Sequence, residues 1–328
     1  MKAIALISGG LDSILAARLV NSLGVEVIPL NFKIPFCKKD PVYNQDSLGA
    51  CLNCVDISGE FLKLLENPRH GFGSNMNPCI DCKIMMLSKA RQLLDKFGAS
   101  FVITGEVLGQ RPMSQNRQAL SVIEKESGLE DLILRPLSAR LLPETIPEKQ
   151  GWVRRQDLLN FSGRTRKPQL ELAGRLKIKD YGQPAGGCLL TDPRFSQRLR
   201  ELIAHKELNA DNLELLKVGR HLRISANTKL AVGRNEKENQ LLADSAKEGD
   251  YLFSPGADMA GPTSLGRGEF DRELIELSCA LTCHYCDLGL GASADIFFFK
   301  KNNDTQKQNE SSLNVLPAAE NIVTGLRI

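Results

Sequence analysis

The chain has no apolar run approaching the length of a membrane span, no internal repeat, and a net charge of only +3 over 328 residues. These absences exclude a membrane-spanning helix and a polycation that would grip nucleic acid along its whole length. A signal-peptide pattern is also missing, because Met1-Lys2 leads directly into a core strand, and a cytoplasmic protein is expected. The four histidines are scattered, and none has a catalytic partner in the sequence. What remains is a soluble globular composition, 42% hydrophobic and 25% charged, long enough for two or three domains with their own cores. Cysteine is abundant by contrast. Nine of them in a reducing compartment read as ligands or catalytic thiols rather than disulfides.

The densest signal stands at the start. Ala3-Ile4-Ala5-Leu6-Ile7 reads as a buried strand that runs into Ser8-Gly9-Gly10-Leu11-Asp12-Ser13. A helical pattern follows in Leu15, Leu19 and Leu23, with Gly24 at its stop. A strand, a glycine-rich turn and a helix N-terminus make a socket for phosphate. Gly9 and Gly10 allow positive φ and close backbone approach, while Ser8 and Ser13 add hydroxyls. Further strands are expected at 25–30, 100–104 and 133–135, and helices at 47–65 and 84–97. The alternation predicts an α/β fold with a doubly wound parallel sheet. Its ligand should sit at the carboxyl ends of the strands, where Ser8, Asn31 and Thr104-Gly105-Glu106 would meet.

From Val218 the texture changes to a smaller α+β module: a hairpin of 220–226 with 229–233, a helix at 236–247 and a strand at 251–253. The expected division is a first domain at 1–193, a helical linker at 194–217, the α+β domain at 218–300, and a mostly flexible tail at 301–328 that is mobile over 301–312.

The cysteines fall into groups. Cys79 and Cys82, in Asn77-Pro78-Cys79-Ile80-Asp81-Cys82-Lys83, form a Cys-x-x-Cys on a loop entering a helix. That setting suits a metal or a cluster, and a helix N-terminus stabilises thiolates. No His-x-x-His or second nearby pair completes a zinc site. Cys188 lies in the glycine-rich Pro184-Ala185-Gly186-Gly187-Cys188. Cys279-x3-Cys283-x2-Cys286 has the spacing of a radical-SAM motif, but too little chain follows to build the barrel which that motif begins. Buried or zinc-bound thiols in a helix are expected there. Cys37, Cys51 and Cys54 read as structural, as a zinc site, or as accessory sulfur carriers. Positive charge gathers at Arg154-Arg155, Arg164, Arg166-Lys167, Arg175, Lys177 and Lys179, either a solvated surface or a phosphate-facing patch.

The glycine turn lacks the Gly-Lys-Ser/Thr ending of a Walker loop. It resembles instead the SGGxDS loop of the PP-loop ATP pyrophosphatases, which cleave ATP between the α- and β-phosphates, adenylate a substrate oxygen, and let a nucleophile displace AMP. The resemblance implies that Ser8, Gly9, Gly10, Asp12 and Ser13 hold pyrophosphate, with Asp12 near Mg²⁺. It narrows at Cys82-Lys83-Ile84-Met85-Met86-Leu87, Ile103-Thr104-Gly105-Glu106-Val107-Leu108-Gly109-Gln110, Ser114-Gln115 and Arg135-Pro136-Leu137. This pattern is similar to the catalytic domain of the tRNA 4-thiouridine synthetases. The implied function is an ATP-dependent tRNA thiouridine synthetase, with Asp12, Cys82 and Cys188 catalytic and with Asn31, Lys83, Gly105 and Arg135 joining the ATP site.

One branch of these enzymes holds an iron–sulfur cluster on three cysteines, which Cys79, Cys82 and Cys188 match; a [4Fe-4S] cluster would keep one iron open for hydrosulfide. The rival chemistry within the family is cluster-free, with a persulfide on Cys188 and a second cysteine resolving the disulfide. Val218-Gly219-Arg220-His221-Leu222-Arg223 and Val232-Gly233-Arg234-Asn235-Glu236-Lys237-Glu238-Asn239 look like the NFACT-type RNA-binding module. Arg220, Arg223, Arg234 and Lys237 are its expected RNA contacts, joined by Arg164 and Lys167 from the first domain. The implied partners are tRNA and a sulfur donor, either sulfide or a cysteine desulfurase, and a homodimer stays open. Two departures from the family, no RNA-binding module ahead of the first strand and no rhodanese domain, leave the target uridine open. The alternatives are a small-molecule PP-loop ligase of the 7-deazaguanine nitrile synthase type and a non-catalytic RNA-binding sulfur-relay protein.

Overall fold

The computed structural model describes residues 1–36, 50–179, 181, 187–289, 291–302 and 310–328. The chain divides into two compact units, Met1–Asp192 and Pro193–Ile328.

The first unit is built on β1 (Lys2–Leu6), α1 (Leu11–Ser22), β2 (Glu26–Lys33), β3 (Asn53–Asp56), α2 (Ser58–Glu66), α3 (Cys79–Phe97), β4 (Phe101–Ile103), α4 (Arg117–Glu126), β5 (Ile133–Leu134), α5 (Ile146–Lys149) and α6 (Lys167–Arg175). Its five strands are all parallel, in the order β3-β2-β1-β4-β5, which is the doubly wound arrangement. The two-residue period of β1 sends its side chains to two cores. Ala3 and Ala5 pack with α1 and α6, whereas Ile4 packs with Leu87 and Ala90 of α3 and Ile123 of α4. A helical layer therefore covers each face, as an all-parallel sheet requires. The strand order reverses at β1 and β4, so the crevice at their carboxyl ends is where a ligand belongs.

Two expectations change here. Residues 53–56 form the edge strand β3 rather than part of a helix over 47–65; residues 47–49 of that stretch lie outside the described residues. The Asn53–Asp56 backbone is held by register with Leu30 to Lys33 of β2, a long-range pairing that outweighs local helix pattern. The helix expected from residue 84 begins at Cys79. Cys79 and Cys82 thus belong to its first turn, not to the loop before it.

The second unit comprises α7 (Pro193–Ala204), α8 (Ala210–Leu215), β6 (Arg220–Ser225), β7 (Thr228–Val232), α9 (Glu236–Ser245), β8 (Tyr251–Pro255), β9 (Ser264–Gly268), α10 (Arg272–Cys283), β10 (Ala294–Lys300), β11 (Ser311–Val315) and α11 (Glu320–Leu326). Its six strands are antiparallel, in the order β11-β10-β8-β9-β7-β6. One face buries Leu222, Phe253 and Ile296 against Cys279, Leu281 and Cys283 of α10. The other buries Ala231, Leu252 and Leu265 against Leu215 of α8 and Leu242 of α9.

The stretch expected as a linker, 194–217, folds as two helices with Phe195, Leu199, Leu202 and Leu213 buried. The tail differs too. Ser311 and Ser312 pair with Phe298 and Phe297 of β10, Val323 of α11 is fully buried, and the Ile328 N–H donates to the His221 carbonyl at 3.0 Å. A free sheet edge at β10 captures a polar strand through its backbone, which composition does not reveal. Residues 303–309 of the expected mobile stretch lie outside the described residues. No helix among the described residues is long and apolar enough to cross a membrane.

Candidate active site

The glycine turn follows β1. Gly9 takes φ +78°, while Gly10 is extended and caps α1. The Ser13 hydroxyl donates to the Gly10 carbonyl at 2.7 Å and accepts from the Ser8 N–H at 3.3 Å, which folds the turn over the first turn of α1. The loop after β4 lies directly against it. A Cβ on Gly105 would come within 2.5 Å of the Asp12 carbonyl and the Ser13 nitrogen, so only glycine fits. Asn31 is committed to the scaffold: its amide donates to the Ile7 carbonyl at 2.7 Å and ties β2 to the turn.

Asp12 is half-buried. Its Oδ2 accepts from the Gln110 amide at 3.0 Å, and its Oδ1 is buried without a partner. Burial pushes its pKa up, against the Gln110 hydrogen bond and the charges of Arg166 and Arg111. A bare carboxylate oxygen is a hard donor of the kind Mg²⁺ takes.

Beside this lies a buried charge cluster. Burial pushes the Glu106 carboxyl up, but Lys83 and Arg135 outweigh it with hydrogen bonds from Arg135 and Thr104, and the pKa falls to about 2. Lys83 Nζ stands 3.4 Å from Glu106 Oε1. Arg135 spends Nε on Glu106 and Nη1 on Glu124, leaving only Nη2 without a partner. Arg135 is therefore chiefly a strut, and Lys83, at the end of the first turn of α3, is the more exposed cation.

The cysteine loop adjoins the same segment. The Asn77 amide donates to Cys79 Sγ at 3.1 Å and reaches Met113 Sδ at 3.7 Å. Asn75 donates to the Thr191 carbonyl at 3.0 Å, and the Leu189 N–H donates to the Phe36 carbonyl at 2.8 Å. The segment carrying Cys188 is thus held between the Cys79 loop and the end of β2. Among the described residues, no group of three His, Cys, Asp or Glu side chains is arranged to hold a metal ion as it stands. Cys54 lies opposite Asn31 in register and is exposed, as is Cys51; Cys37 is outside the described residues. Burial pushes the Cys279 thiol up to about 12 and that of Cys286 to about 11, and it raises Cys283 as well. Cys279 and Cys283 are buried on α10, and the half-buried Cys286 follows its end.

Residues 1–140 match the family model described as thiamine biosynthesis protein (ThiI). The first unit carries a ThiI-type domain. Residues 219–324 match the model described as NFACT protein RNA binding domain, so the second unit carries an NFACT-type domain that takes in β11 and α11. Over 142 residues the chain is 30% identical to a probable tRNA sulfurtransferase of Thermococcus kodakarensis, covering 42% of this chain and 36% of that protein. Over 122 residues it is 34% identical to a probable tRNA sulfurtransferase of Methanosarcina mazei, covering 33% and 29%. The chain spans about a third of the length of the curated relatives it matches. A solved 4-thiouridine synthetase–RNA complex with bound ATP is 20% identical and covers 66% of this chain and 52% of its own, with a TM-score of 0.35, at which the likeness carries no argument.

In the second unit the residues of the expected RNA face differ in how far other side chains already engage them. Arg223 is engaged by Glu201 and by both carboxylate oxygens of Glu207, because β6 packs beside α7. Arg220 lies over the Tyr285 ring at 4.6 Å and donates to the Gly233 carbonyl. Arg234 pairs with Glu238 at 2.7 Å. Lys237 is exposed on α9, as are Arg164 and Lys167 in the first unit. Sequence reasoning included Gln110 in the Thr104 to Gln110 stretch and Arg166 in the basic patch without giving either a role at Asp12, and it passed over Arg111.

Proposed function

We propose that the chain is an ATP-dependent tRNA thiouridine synthetase. The observation that carries this is the segment Gln110 to Met113. Its first residue holds Asp12, and its last adjoins the amide that holds Cys79. Nucleotide loop and cysteine loop therefore share one mouth, as activation followed by sulfur transfer requires. The ThiI-type match and the names of the relatives support the same reading.

In this reading the uracil oxygen attacks the α-phosphate of ATP, pyrophosphate leaves, and sulfur then displaces AMP. Ser8, Ser13 and the first-turn N–H groups of α1 hold the phosphates, and Asp12, through its unpartnered Oδ1, would hold Mg²⁺, which would offset the charge of the phosphates. Glu106 keeps Lys83 in reach of the developing negative charge. The base leaves its stack to enter the mouth, while the NFACT-type domain holds the tRNA through phosphates and shape, with Lys237, Arg164 and Lys167 as contacts. Thiolates are the donors that iron–sulfur clusters take. Cys79, Cys82 and Cys188 would hold a [4Fe-4S] cluster, which when bound supplies sulfide to the activated carbon. A second reading dispenses with the cluster: Cys188 carries a persulfide that Cys82 resolves.

The test is ATP–pyrophosphate exchange and thiolation by Asp12→Asn, read beside the nucleosides of tRNA from a strain lacking the chain. Exchange should fall by about two to three orders of magnitude. Undiminished exchange and thiolation in this variant would sink the reading. Iron and sulfide analysis of Cys79→Ala after anaerobic reconstitution separates the two sulfur routes: full activity without a cluster leaves only the persulfide.

A further inference from the structure

Residues 105–116 and 162–169 meet in a clasp beside the nucleotide loop. Leu108 and Ser162 form a parallel bridge, and the Gly163 N–H donates to the Leu108 carbonyl at 2.8 Å. The Gly109 N–H closes the turn on the Gln115 carbonyl at 2.7 Å. α6 starts directly after Arg166, its N-cap, and packs on α1 through the face that carries Gln169, Leu172 and Ala173. The clasp is tied to the site itself, since Gln110 donates to Asp12.

This region concentrates unmet polar groups. Asp12 Oδ1, Gln110 Oε1, Arg166 Nε and both amide atoms of Gln169 are buried without a partner, and Gln169 is 1% exposed. Neither Arg111 nor Arg166 meets a carboxylate within ion-pair distance among the described residues. Leaving such groups bare is costly, and the two donors among them, Arg166 Nε and Gln169 Nε2, are of the kind an anionic oxygen satisfies. The donors of the glycine turn are neutral, so they leave the negative charge of a triphosphate uncompensated. Planar guanidinium groups match phosphate oxygens with paired N–H donors.

Resting on the ATP reading above, we infer that Arg111 and Arg166 form a phosphate clamp, a second wall of the socket that binds the phosphate chain of the nucleotide while Gln110 holds Asp12 in position.

The experiment titrates the full chain and its Arg111→Gln and Arg166→Gln variants with Mg²⁺-ATP, and separately with tRNA at one fixed salt concentration. Arg166→Lys keeps the charge and loses the fork. Each Gln variant should bind ATP about tenfold more weakly, with tRNA affinity within about threefold and an unchanged thermal melt; Arg166→Lys should fall between. ATP affinity unchanged in both Gln variants, with wild type binding ATP, overturns the clamp and leaves the synthetase reading standing. Weaker tRNA binding with ATP binding intact also overturns it, assigning the arginines to an RNA phosphate instead. A wild-type chain that binds no ATP overturns the synthetase reading itself, and the clamp with it.

Discussion

In the second unit Arg223, Lys229, Arg234 and Arg267 each meet a carboxylate, on Glu201 and Glu207, on Glu201, on Glu238 and on Asp250 respectively. In the first unit Arg164, Arg166, Lys167, Arg175 and Lys177 meet none among the described residues, although Arg154 and Arg155 just before them pair with Asp157 and Glu148. Positive charge in the two units thus does two jobs. Paired cations hold β6, β7 and α7 together, and unpaired ones present a field to something outside the fold. The unit whose match names RNA binding has most of its arginines already occupied, and the unit with the nucleotide loop has the spare ones.

The largest expected effect concerns the most deeply buried charge cluster of the first unit, Glu106 with Arg135 and Lys83. Glu106→Ala removes the buried partner of Arg135 and of Lys83, leaving Arg135 with Glu124 alone, a loss of about 3–5 kcal/mol. Trp152, the single tryptophan, stacks on Phe101 of β4 at 5.9 Å and reports that unit alone in a urea titration. The pH dependence follows from sign. Glu106 drops from an ordinary value of 4.5 to about 2 on folding. Its contribution is therefore present above pH 4.5 and lost as pH falls through 2. Glu106→Gln should remove that acid-side slope, and an unchanged slope would break the assignment of Glu106 as the charged keystone.

The next effect separates paired from unpaired cations directly. Arg223→Gln should destabilise the second unit by about 1.5–3 kcal/mol, with RNA affinity retained wherever the unit is folded. Lys237→Gln should leave stability within about 0.5 kcal/mol and reduce the salt slope of RNA binding by about 1. Loss of RNA binding by a well-folded Arg223 variant would erase the contrast between the two regions.

That contrast marks where the sequence was legible. The glycine turn could be read because strand, turn and helix are consecutive, so local chemistry fixes their geometry. The parallel sheet followed from alternation for the same reason. Arg223 was misread because its partners, Glu201 and Glu207, come from an earlier helix and its following loop. The clasp was missed because Leu108 and Ser162 are far apart in sequence and their bridge is a backbone contact with no residue signature. The strands β3 and β11 share that cause: both are edge strands fixed by backbone pairing rather than by apolar alternation. For Cys279, Cys283 and Cys286 the sequence left buried or zinc-bound thiols open; Cys279 and Cys283 are packed in the core of the second unit and Cys286 is half-buried beside it.

The smallest effect tests whether the paired lattice of the second unit also governs its one fully buried histidine. His221 Nε2 lies 2.8 Å from the Val218 carbonyl. A carbonyl can only accept, so Nε2 carries the proton, and Nδ1 is buried with no partner. Protonation would add an N–H with no acceptor in a site facing Arg198, Lys229 and Arg234. Burial first, and those cations second, push its pKa well below 6.5, against the Val218 hydrogen bond. The unfolded chain then binds more protons than the folded one below pH 6.5, so stability falls as pH drops from 6.5. This is the same direction as Glu106, but in a different window and reported by a different unit. The ring signal of His221, assigned by comparison with His221→Gln, should stay at its neutral position well below pH 6.5. The Gln variant keeps a donor for Val218 and should flatten the decline below pH 6.5. A His221 signal that titrates near 6.5 would mean that β6 opens to water and that the ion-pair lattice around it is looser than the fold implies.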